Sequence, residues 1–213
     1  MLRTHFTTLV FLSVLVFPGG CTGKQAGACE QAYTEAEQQY RQLRDLPADS
    51  EAFFSLLEQL ENRLFKAFEK CPADARPIAL MSEVQISAKQ PSLALLYAQK
   101  ALATDAGIWQ SQHAMASALT LAQQYEEAVP YAEQASKLAP QRPGLQLGLC
   151  RAYALAGKHE QAVNSCSAVI ESTHSDLHAT AYYLRGLAYR GLGDTAQADQ
   201  DQQQAQALGH PQK

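Results

Sequence analysis

The chain has 213 residues, with 17 Lys and Arg against 21 Asp and Glu and a net charge of −4. An acidic balance of this size gives no electrostatic reason to bind nucleic acid. Hydrophobic residues make up 46% of the sequence, so the reading turns on how they are spaced.

The chain opens with Arg3 and continues into an apolar run from Phe6 to Phe17. That run is shorter than the roughly 20 residues a membrane span needs. Pro18, Gly19, Gly20 and Cys21 follow directly, so residues 1–20 read as a secretory signal peptide. A cysteine behind small residues at this place resembles the lipobox of bacterial lipoproteins, with Pro18 standing where Leu is usual. The resemblance implies that Cys21 carries the lipid, with acyl chains such as palmitate, and becomes the mature N-terminus. Residues 21–28 are then a short linker. Thr22 follows the cysteine rather than Asp, which by resemblance to enterobacterial lipoproteins implies the outer membrane and a periplasm-facing domain. Cleavage after Ala28 is the alternative and would release a soluble periplasmic protein. Loss of the leader removes Arg3 alone, leaving 16 basic against 21 acidic residues and a charge of −5.

Helical periodicity runs from Cys29 to about Arg44 and from Ser50 to Lys70, with Leu46-Pro47-Ala48-Asp49 between. The second stretch carries Phe53, Leu56, Leu57, Leu60, Leu64, Phe65 and Phe68. Residues 29–74 are therefore expected to form an N-terminal helical hairpin that caps the rest of the chain, either as a separate element or as a diverged repeat.

From residue 75 onward the pattern repeats. Ala94, Ala128, Ala162 and Ala198 lie 34, 34 and 36 residues apart. With unit starts near 75, 109, 143 and 179, position 8 is Ser82, Ala116, Cys150 or Gly186. Position 27 is Ala101, Ala135, Val169 or Ala205. Small residues at fixed places let two antiparallel helices cross closely. The pattern resembles the tetratricopeptide repeat, with small residues at 8, 20 and 27 and an aromatic near 11, as at Tyr153 and Tyr189. That implies an all-α fold, a right-handed α-solenoid of about four helix pairs over 75–210. The two extra residues before the fourth unit fall in the polar stretch Ser172–Asp176. The last helix, capped by Asp194 and rich in Gln, suits a solenoid end that must face water, which favours a monomer over end-to-end stacking.

In an antiparallel hairpin, residues equidistant from the turn lie side by side. Cys29 and Cys71 are centred on Ser50, and Cys150 and Cys166 on Lys158. This predicts disulfides Cys29–Cys71 and Cys150–Cys166, in keeping with an oxidising compartment. The second pair would also fit as small core residues.

No phosphate loop, His-Glu-x-x-His, Cys-x-x-Cys or nucleophile elbow occurs. His174 and His178 lack a third metal ligand close by. The chain thus reads as a non-enzymatic scaffold without cofactor or metal. In the repeat family the first helices line a concave groove. Carried over to this sequence, the groove takes Arg76 and Glu83 from the first unit and Gln110, His113 and Ser117 from the second. Leu147 and Arg151 come from the third unit, and Tyr183, Leu187 and Arg190 from the fourth. Trp109 either packs between units or serves as a ligand platform. The arginines suit a protein partner or extended peptide bearing carboxylates. A scaffold assisting assembly of an envelope complex is the leading reading, with membrane attachment through the lipid. An accessory factor for a peptidoglycan- or glycan-processing enzyme is the alternative.

Overall fold

The computed structural model describes residues 23–210, so the expected signal peptide and the expected lipid attachment at Cys21 lie outside the described residues. The first hairpin pairs α1 (Gly23–Asp45) with α2 (Glu51–Lys70). Helix α1 begins at Gly23, within the stretch expected to be a linker. Lys24, Gln25, Ala26 and Ala28 are all good helix formers, and nothing there breaks the helix except the tolerated glycines. Ser50 caps α2, its Oγ accepting from the Phe53 N–H at 3.1 Å.

Eight further helices follow in four pairs. They are α3 (Arg76–Ser87) with α4 (Pro91–Thr104), and α5 (Trp109–Leu121) with α6 (Tyr125–Leu138). Then come α7 (Pro143–Leu155) with α8 (His159–Ile170), and α9 (His178–Gly191) with α10 (Thr195–Ala207). A single 3-10 turn, Ser175–Leu177, takes up the longer connection before α9. Among the described residues there is no strand, and no helix is long and apolar enough to cross a membrane.

The pairs close in the same way each time. Lys89, Gln123, Gly157 and Gly193 occupy the fifteenth place of each unit, and all four have positive φ, between 57° and 82°. The next N–H then reaches back five residues: Gln90 to Gln85, Gln124 to Leu119, Lys158 to Tyr153 and Asp194 to Tyr189, at 2.9–3.0 Å. This is the Schellman closure, which favours glycine at its left-handed residue. The first two units use Lys89 and Gln123 there, so their turns carry a steric penalty that Gly157 and Gly193 avoid.

Small residues set the crossings. Ala94, Ala128, Ala162 and Ala198 are fully buried. Ser82 Oγ donates to the Ala94 carbonyl at 2.8 Å. At the equivalent place in the last pair a Cβ on Gly186 would sit 3.2 Å from the Ala198 carbonyl oxygen. In the third pair that place is Cys150, bonded to Cys166 with Cα atoms 5.0 Å apart. Cys29 and Cys71 form the other bridge, Cα atoms 6.0 Å apart, tying the base of α1 to the end of α2.

Helices α1, α3, α5, α7 and α9 pack each on the next and form a continuous inner row. The N-terminal hairpin joins that row as a unit of the stack. Its core of Leu43, Phe53, Leu60 and Leu64 runs on into Leu80, Met81 and Val84 of α3.

Candidate functional site

The inner row encloses a groove of about 770 Å³. Arg44, in the last turn of α1, stands at one wall with Glu83 and Ile86 of α3. His113, Ser117, Thr120 and Leu121 of α5 contribute one face, and Leu147 and Arg151 of α7 the other. Trp109 and Arg142 form a lip, the guanidinium lying 4.2 Å from the centre of the indole ring.

Glu83 is the one carboxylate among the groove's lining residues. Its side chain is 19% exposed, and its Oε1 lies 3.6 Å from His113 Nε2 with no hydrogen-bond partner. Burial pushes the carboxyl above its ordinary range. His113, a hydrogen bond from Ser117, and the charges of Arg44 and Arg151 all oppose that rise. Burial also pulls the Arg151 guanidinium down, against the attraction of Glu83, but an arginine stays charged throughout the biological range.

The arginines divide sharply. Arg41, Arg63, Arg76, Arg185 and Arg190 each pair with a carboxylate. The remaining three of the described arginines, Arg44, Arg142 and Arg151, make no hydrogen bond or ion pair with any described residue. All three line the groove. The concave face of an acidic chain is therefore cationic.

Residues 119–184 and residues 179–208 match tetratricopeptide-repeat family models. Residues 119–208 carry tetratricopeptide repeats. YrrB, described as a TPR protein with an unusual peptide-binding site, superposes with a TM-score of 0.59. Its identity is 19% over 82% of this chain and 93% of that one. MamA of Desulfovibrio magneticus RS-1 gives 0.63 at 14% identity, covering 89% and 97%. PilF of Pseudomonas aeruginosa gives 0.67 at 20% identity, covering 89% and 80%. At such identities the likeness is one of fold alone. No curated protein matches the chain in sequence.

The TPR register brings Glu83, His113, Ser117, Leu147 and Arg151 together in the groove. It does not bring the other five. Arg76 is held by Asp74 at 2.8 Å and Glu30 at 2.6 Å, and its guanidinium lies over the Tyr33 ring. Gln110 lies near the Tyr33 hydroxyl of α1 and eases the rise that burial imposes on it, to about 12. At the other end Tyr183 stacks on His210, ring centres 4.4 Å apart. Leu187 packs into the core beside Cys150 and Cys166. Arg190 donates to Gln202 at 2.9 Å and lies 3.7 Å from Asp199, both on α10. The open groove thus spans the first three TPR units and excludes the fourth.

Arg44 and Arg142 escape the repeat register. Arg44 belongs to the hairpin, and reading that hairpin as a unit in the inner row would have found it. Arg142 sits just before the first residue of α7, outside the helix positions that carry the signature. His178 Nε2 lies 3.0 Å from the Ser172 carbonyl oxygen, a local loop contact. Among the described residues no three His, Cys, Asp or Glu side chains are grouped to hold a metal.

Proposed function

We propose that the groove holds an extended, acidic segment of a protein partner, and that the chain is a periplasm-facing outer-membrane lipoprotein that assists assembly of an envelope complex. The observation that carries the binding reading is that the three carboxylate-free arginines converge on one concave surface. A guanidinium offers paired donors that match a carboxylate. Trp109, Ile86, Leu121 and Leu147 add apolar contact between the charges. The peptide-binding site named for YrrB supports the same use of the fold. The location rests on the signal-like run ahead of Cys21, and two disulfides suit an oxidising compartment.

Calorimetry with an alternating alanine–glutamate peptide tests the binding reading against its alanine–glutamine counterpart. The acidic peptide is expected to bind more tightly by about ten-fold or more, with an advantage that shrinks as salt is raised. Equal affinity for the two peptides would remove the acidic preference. The location is tested separately: Cys21→Ala should shift the protein from the membrane to the soluble fraction and abolish palmitate labelling. Unchanged labelling would exclude Cys21 as the anchor.

A further inference from the structure

The head of the groove already contains an anion. Glu83 stands at the ninth place of the first unit, and its carboxylate faces cations from both neighbouring walls. Across from it are His113, with Nε2 at 3.6 Å, and Ser117 on α5. Arg44 of α1 and Arg151 of α7 line the same cavity and act on it electrostatically. Tyr40 of α1 also packs here, its hydroxyl donating to the Glu83 main-chain carbonyl at 3.3 Å and leaving the carboxylate untouched. None of the cations closes on Glu83 as a hydrogen-bonded pair. Glu83 Oε1 is enclosed and without a hydrogen-bond partner, its one ion-pair contact being His113 at 3.6 Å, while Arg44 and Arg151 remain without carboxylate partners. An anion positioned near cations that it does not engage leaves their donors available to a second anion.

We propose that Glu83 is a resident competitor at a carboxylate subsite formed by Arg44, His113 and Arg151. A ligand carboxylate takes over these cations, and Glu83 accepts a proton from solvent as it does so. Two carboxylates crowded into one partly desolvated site favour sharing a proton, because ionising both sets like charges against each other. The direction of the Glu83 shift agrees, since burial already works against its ionised form. Ligand affinity is then linked to pH through a residue that belongs to the protein. This inference rests on the acidic-segment reading above and adds the residue that tunes it.

The test uses a peptide of alternating alanine and cysteic acid, whose sulfonates remain ionised where glutamates would begin to titrate. The isosteric variant E83Q is expected to bind it about ten-fold more tightly than the unaltered protein near pH 8, the order expected for one like charge removed from a partly buried site. That ratio should close toward one as the pH is lowered and Glu83 is neutralised. It should persist in an H113Q background, which removes the imidazole. Calorimetry of the H113Q protein with Glu83 intact, in buffers of different ionisation enthalpy, should show proton uptake on binding, a readout that needs no change at Glu83. E83Q binding equally or more weakly at every pH, or an absence of proton uptake, would overturn the inference while the groove reading stands. Failure of both the unaltered protein and E83Q to bind any anionic peptide would overturn both.

Discussion

Replacing Asp201 by alanine is expected to lower the unfolding free energy by about 3–5 kcal/mol, the range seen when one partner of a buried ion pair is removed. Asp201 sits on the last helix with its side chain 5% exposed. Its two oxygens receive Arg185 Nε at 2.7 Å and Nη2 at 2.8 Å, while Arg185 Nη1 donates to Ser167 Oγ at 2.9 Å. One guanidinium therefore joins α8, α9 and α10, flanked by the rings of Tyr182 and Tyr189. Besides Asp201, the residues the last helix buries are the small Ala198 and Ala205. Arg185, 18% exposed in the intact pair, would keep Ser167 as its remaining hydrogen-bond partner once the carboxylate is removed. Urea denaturation followed by circular dichroism measures the loss. Asp199→Ala is the control: its carboxylate is 70% exposed and 3.7 Å from Arg190, so it should cost less than about 1 kcal/mol. Equal effects of the two substitutions would show that the pair does not anchor α10.

Breaking the Cys29–Cys71 bridge is expected to cost about 4 kcal/mol, from a chain-entropy estimate for a loop of this length. The bridge spans 42 residues, against 16 for Cys150–Cys166, for which the same model gives about 3 kcal/mol. The C29S/C71S double variant, compared with the oxidised parent by urea denaturation, isolates the longer loop. Because α1 presents Arg44 to the groove, loosening its base should also weaken anionic-peptide binding. A double variant as stable as the oxidised parent would contradict the entropic account of the bridge.

The helical register was legible because close crossings demand small side chains, and the run of buried alanines records that demand directly. The unit starts read near 75, 109, 143 and 179 fall within a residue of helix starts at Arg76, Trp109, Pro143 and His178. The left-handed closing residue announces itself as Gly157 and Gly193 and is hidden at Lys89 and Gln123, where the same main-chain closure forms without glycine. Three of the ten expected groove residues, Arg76, Tyr183 and Arg190, turn elsewhere for one physical cause. Periodicity gives the face on which a side chain starts, while ion pairing and stacking decide where its charged or aromatic end goes. Arg76 and Arg190 were diverted by Glu30, Asp74 and Asp199, and Tyr183 by His210. None of those partners follows from the repeat. Arg44 and Arg142 were overlooked for the opposite reason, since each enters the groove from outside the signature positions.

The central claim is that the cationic groove over the first three units binds acidic extended segments. The chain has one tryptophan, Trp109, and it lies at the groove lip beneath Arg142. Its emission, followed while the alanine–glutamate peptide is titrated in, reads that surface directly. The predicted result is a saturable change, with affinity reduced by about ten- to a hundred-fold in an R142A/R151A double variant that keeps its helicity. A saturable change of equal affinity in the double variant, or calorimetric binding that leaves Trp109 unperturbed, would contradict the claim.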